Sequence, residues 1–120
     1  MPNYLLALRD DPSMFQDVSP EQMQEIIARY QAWSEANHAA LVSGHKLADG
    51  EGRVVRKRGG KTDVSDGPFS ESKEMLGGFY VIRADSYDKA VAMLDGHPHV
   101  EFGSIEVRAI DPMGEADGDA

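Results

Sequence analysis

The stretch Asp66-Gly67-Pro68-Phe69-Ser70-Glu71-Ser72-Lys73-Glu74-Met75-Leu76-Gly77-Gly78-Phe79-Tyr80-Val81-Ile82-Arg83 passes from a rigid turn into an apolar strand. Gly67 frees the backbone, while Pro68 fixes φ and removes a donor, so Asp-Gly-Pro belongs neither in a helix nor in a central strand. Asp66 therefore stands at a strand end, and Phe69 is delivered from the turn. Residues 76–83 place Phe79, Tyr80, Val81 and Ile82 in succession, the pattern of a strand covered on both faces. Gly77-Gly78 at its start permits a bulge or a close backbone approach.

Upstream, Val54-Val55 and Thr62-Asp63-Val64 read as arms of a basic hairpin turning through Arg58-Gly59-Gly60-Lys61, with an exposed tip. Residues 41–47 read as a further strand. Residues 3–8, with Tyr4, Leu5, Leu6, Ala7 and Leu8, form another two-sided strand that ends at Arg9-Asp10-Asp11-Pro12. Between them, Ser19-Pro20-Glu21-Gln22 supplies an N-cap, a first-turn proline and a capping-box glutamine. Met23, Ile26, Ile27, Tyr30 and Trp33 then share one stripe, which predicts a helix to about Asn37 with Met23, Tyr30 and Trp33 in the core. Downstream, Ser86 caps a short helix whose Tyr87, Ala90, Val91 and Leu94 share a face before Gly96 ends it, and residues 104–110 supply the last strand.

The order β-α-β, hairpin, β-α-β is a duplicated split unit of the ferredoxin-like α+β type, with two helices on one face of an antiparallel sheet. The strands are apolar on both faces, so the second face calls for a partner.

The chain resembles the YCII-related proteins, in the subgroup named for the Asp-Gly-Pro-Phe motif. The resemblance rests on residues 66–69, Ser70 to Glu74, Gly77-Gly78-Phe79-Tyr80 and Gly103-Ser104-Ile105-Glu106-Val107-Arg108, and it covers roughly residues 3 to 111. It implies a dimeric α+β barrel, hence a homodimer burying the open sheet face. It also implies a loose association with sigma-factor regulation, and it does not define a reaction.

A chain of 120 residues, 41% hydrophobic, builds one compact domain, here residues 1–111, followed by an acidic flexible tail at 112–120. The formal net charge of −9 repels a phosphate backbone, which argues against nucleic acid as a partner. The absence of cysteine rules out disulfides, thiolate metal sites and a cysteine nucleophile. With no signal-peptide pattern at the start and no membrane-length apolar run, the expectation is a cytoplasmic protein.

Asp66, at a turn beside Phe69, is a candidate general base; the alternative is that it starts the turn by accepting backbone N–H groups. His45, beside Gly44, is a candidate acid or base. An acidic residue is common at this position in the family, so His45 departs from that pattern. Glu106 and Arg108 alternate with Ile105, Val107 and Ala109, which sends the charged pair to the face opposite the helices. There Arg108 is positioned to clamp an anionic substrate, or the two form an ion pair. Glu74, within the family motif, and Phe69 complete a substrate-binding set. His97, His99 and Glu101 have the donor types of a metal site, but they sit in a loop without an independent third ligand, and His38 is isolated, so no metal is assigned. No phosphate-binding glycine loop is present, and no cofactor is expected.

Two functions fit. One is a cofactor-independent enzyme performing lyase- or isomerase-type acid–base chemistry on a small molecule, with Asp66 and His45 handling protons and Arg108 holding an anionic substrate. The other is a non-catalytic ligand-binding or protein-interaction module.

Overall fold

The computed structural model describes residues 1–66 and 75–114. Strand β1 (Asn3–Asp10) leads through a short 3₁₀ turn, Pro12–Phe15, to helix α1 (Pro20–Ala36) and strand β2 (Leu41–Lys46). Strands β3 (Arg53–Arg58) and β4 (Lys61–Asp66) follow, then β5 (Met75–Arg83), helix α2 (Tyr87–Met93), a 3₁₀ turn at Pro98–Glu101 and β6 (Gly103–Ala109). The main sheet has the order β2-β5-β1-β6 with every neighbour antiparallel, and β3 and β4 form a separate two-stranded sheet. Each β-α-β unit therefore leaves a gap filled by a strand of the other, which is the ferredoxin-like arrangement.

Local signals set the element ends. Ser19 Oγ accepts from Gln22 N at 3.1 Å and Gln22 Oε1 accepts from Ser19 N at 3.0 Å, so the expected capping box closes the start of α1. Asn37 takes the C-cap position of that helix. The hairpin turns at Gly59 and Gly60 with φ of 57° and 81°, a left-handed pair that only glycine adopts cheaply. The bulge lies where the Gly77-Gly78 pair predicts it: Leu8 pairs with Gly78 and Arg9 with Leu76, leaving Gly77 as the extra residue.

Register decides the two faces. Tyr4, Leu6 and Leu8 of β1, Ile82 of β5, and Ile105 and Val107 of β6 meet Trp33 of α1 and Ala90 and Leu94 of α2 in one core, with Leu6 and Ile82 wholly buried. The Trp33 indole also donates to the Met93 carbonyl at 2.8 Å, joining the two helices. Two apolar stripes are only partly covered. Val91 is 55% exposed, because α2 is seven residues long and covers the sheet through Ala90 and Leu94. Of the apolar stripe on α1, Trp33 is buried, whereas Met23, Ile26 and Ile27 line a cavity instead of closing the core.

Candidate functional site

The cavity lies between the first turns of α1 and the sheet and encloses about 530 Å³, within the range of small-molecule sites. Gly44, Gly78 and Tyr80 form its floor, Phe15 and the apolar stripe of α1 its walls. Gly44 is needed there, since a Cβ would come within 2.7 Å of Tyr80 Cδ1.

Its polar end is assembled from three separate elements. Asp10 closes β1, Tyr30 projects from α1, and His99 rides the 3₁₀ turn after α2. His99 Nε2 lies 2.9 Å from the Arg9 carbonyl, an acceptor, so this nitrogen carries the proton and donates. In the neutral ring Nδ1 is then the acceptor, and it receives the Tyr30 hydroxyl at 2.7 Å. Burial, with the charge of Asp10 adding to it, pushes the Tyr30 phenol up to about 12, so Tyr30 is a proton-bearing donor at neutral pH. The Asp10 carboxyl is also raised, chiefly by burial, against the opposing influence of His99. Gly77, the bulge residue, is what admits it: a Cβ there would stand 2.9 Å from Asp10 Oδ1.

The turn that carries His99 is held by His97. His97 Nδ1 accepts from the His99 backbone N–H at 3.0 Å, which leaves Nε2 to donate to the Tyr80 hydroxyl at 3.2 Å. The ring is 1% exposed and packs edge-on against Trp33 and Tyr30, with centroids 4.7 and 5.3 Å away. Burial pushes its pKa down to about 4, so it is neutral in the working range. At the surface, Arg29 of α1 grips Glu101 with both guanidinium nitrogens and ties the helix to the same turn. Among the described residues every buried side-chain nitrogen or oxygen has a hydrogen-bond partner.

The residues singled out from sequence fall in several places. His45 pairs with Phe79 in the β2–β5 register, their ring centroids 5.7 Å apart, and it meets the cavity at the sheet edge beside Lys46, whose ammonium lies 3.0 Å from Asp49. Glu106 and Arg108 lie opposite Ala7 and Leu5 in the register, on the face away from the helices, and Glu106 pairs with Arg9 at 3.3 Å. Asp66 is the last residue of β4, its side chain 94% exposed and 3.6 Å from Arg53 Nε. Phe69 and Glu74 lie outside the described residues. Within one chain, then, the His45 position borders the cavity from edge strand β2, its ring shares the open sheet face with Arg108 on the opposite edge strand, and Asp66 stands on the separate hairpin. Among the described residues no group of three His, Asp or Glu side chains is arranged to hold a metal ion. No described helix is long and apolar enough to cross a membrane.

In the sequence Tyr30 reads as a core residue, His99 as part of a weak metal pattern and Asp10 as a turn residue. The one usable signal is the pair of glycines at 77 and 103, opposite the polar end of β1.

Residues 3–114 match the family model of the YCII-related domain. A stretch of 59 residues is 41% identical to an uncharacterized protein of Rhizobium meliloti (strain 1021), covering 48% of each chain; the match thus spans about half the length of that relative. Among solved structures, the chain is similar to the 5-chloro-2-hydroxyhydroquinone dehydrochlorinase of Burkholderia phenoliruptrix AC1100 in complex with 2,5-dihydroxybenzoquinone. The TM-score is 0.52 at 17% identity, over 91% of this chain and 93% of that one, a likeness of fold.

Proposed function

The chain belongs to the YCII-related domain family, and from that footing we propose that it is a small-molecule enzyme performing acid–base chemistry in the cavity beneath α1. The carrying observation is the line Tyr30 Oη, His99 Nδ1, His99 Nε2, Arg9 carbonyl, set beside Asp10 at one end of the cavity. A ligand that yields a proton to Tyr30 Oη lets the tyrosine pass its own proton to His99 Nδ1. The result is a ligand anion and an imidazolium, with the phenol restored. Asp10 stabilises that imidazolium, and the return path reprotonates the ligand at another atom or a leaving group. Isomerisation and elimination both follow this course. The dehydrochlorinase of like fold supports the reading by analogy of architecture.

Lys46 at the rim favours ligands with a second polar group, whereas the His45 ring lies with Phe79 on the open sheet face. Glu106 and Arg108 act in this scheme only through an assembly, and we infer that two copies pair across the open sheet face, where Leu5, Phe79 and Val81 are half-buried. Asp66 and the segment with Phe69 and Glu74 contribute to substrate binding only if the hairpin reaches such a cavity.

The test is turnover of a panel of small carboxylic acids, enols and hydroxylated rings by the wild-type chain and by Tyr30→Phe and His99→Gln. Loss of about 100-fold or more in kcat, with folding intact, is the expected result. Unchanged turnover in Tyr30→Phe overturns the proposal. One observation favours a binding module instead: both ring nitrogens of His99 are already satisfied by protein atoms. In that case ligands raise Tm without being converted, and Tyr30→Phe weakens binding alone.

A further inference from the structure

The β3–β4 hairpin differs in chemistry from the rest of the chain. Between Arg53 and Asp66 it has five basic residues against two aspartates, a surplus of three positive charges on a chain of formal net charge −9, so the remainder carries −12. Val55 lies opposite Val64, and they are 62% and 57% exposed. Strand alternation puts Arg53 and Lys57 on the same face as this pair. A two-stranded hairpin is marginal by itself in water, and this one presents an apolar pair flanked on one side by Lys57 and on the other by Arg53 with its partner Asp66.

The complementary pattern occurs on α2. Tyr87 and Val91, 50% and 55% exposed, lie one helical turn apart, with Asp88 before Val91 and Asp95 after it. Tyr87 is fixed in place: its ring is 5.0 Å from that of Tyr4, and its hydroxyl accepts from Ala109 N at 2.8 Å. This is an apolar pair with Asp88 beside it on the helix and Asp95 two residues past the helix end. Within one chain the hairpin leads into the Met75 end of β5, whereas α2 begins beyond its Arg83 end, a strand length of roughly 26 Å away.

We propose that the hairpin docks on the α2 face of a second copy of this chain. Val55 and Val64 meet Tyr87 and Val91, and Arg53 and Lys57 meet Asp88 and Asp95. The contact is separate from the open sheet face, and charge complementarity between the hairpin and the acidic remainder selects another copy as the partner.

The chain has no cysteine, so each engineered thiol is unique. Full-length Val55→Cys and Val91→Cys chains are mixed and treated with a short bis-maleimide; both positions are exposed, and circular dichroism checks the fold. The expected product is predominantly the mixed pair. Its yield falls about tenfold when the first chain also carries Arg53→Glu and Lys57→Glu. It recovers when the second then carries Asp88→Lys and Asp95→Lys. Absence of the mixed pair, a yield indifferent to charge reversal, or no recovery in the charge-swapped mixture overturns the proposal.

Discussion

The Tyr30 hydroxyl lies 2.7 Å from His99 Nδ1, while the far nitrogen of the same ring is anchored on the Arg9 carbonyl at 2.9 Å. This geometry fixes the tautomer of His99 without a carboxylate partner on either nitrogen. Tyr30→Phe removes the donor and leaves Nδ1 facing the cavity unpaired, a loss of about 1–3 kcal/mol. Urea unfolding measures the loss, and the imidazole ¹⁵N shifts of His99 report the freed nitrogen.

Asp10 shows stability and function opposed. Burial raises its carboxyl above the ordinary value, so the folded state holds its proton more tightly than the unfolded chain does. Its ionisation therefore costs stability once pH rises past the unfolded carboxylate pKa. Asp10→Asn keeps the shape and removes that cost. The expected outcome is a Tm equal to or above wild type at pH 7, with turnover or ligand affinity reduced, measured on the same preparation. A clear fall in Tm counts against this view of Asp10.

His97 makes the fold acid-sensitive. Its folded pKa is lowered to about 4 from an ordinary 6.5, so between those values the unfolded chain binds a proton that the folded chain refuses. Its contribution is complete above pH 6.5 and is lost as pH falls toward 4, amounting to about 3 kcal/mol across that window. Unfolding free energies at pH 7.5 and 4.5 give the slope. His97→Gln is less stable at pH 7.5 but flatter over the same interval, since the residual carboxylates contribute equally to both proteins.

How much was readable in advance follows from the range of the interactions. The capping box, the Gly59-Gly60 turn and the Gly77 bulge depend on neighbours a few residues apart, and the alternation in 105–109 reports its own two faces. These features determine the order of elements and, through it, the ferredoxin-like sheet. The polar end of the cavity is of another kind. Tyr30 and His99 are 69 residues apart, and His99 and Arg9 are 90 apart, so their meeting depends on how the two β-α-β units interlock. No local pattern marks it. The same limit holds at α2: helical spacing identifies the stripe Tyr87, Ala90, Val91 and Leu94, but the sheet covers only Ala90 and Leu94.

Two glycines separate backbone fit from site chemistry. Gly103 pairs with Asp10 at the start of β6, and a Cβ there would overlap the Arg9 carbonyl, the acceptor for His99. Gly103→Ala has no flexible side chain to push aside, so backbone must shift, at a cost of about 1–3 kcal/mol together with loss of the His99 anchor. Gly77→Ala meets the carboxylate tip of Asp10 at 2.9 Å, a group that swings away on its own side-chain torsions. It is expected to leave stability within about 1 kcal/mol of wild type, allowing for the bulge, and to disturb ligand binding through displaced Asp10. Chemical denaturation with ligand titration on both variants distinguishes the cases. Equal destabilisation by the two substitutions would mean that Asp10 is held as rigidly as the backbone of β1.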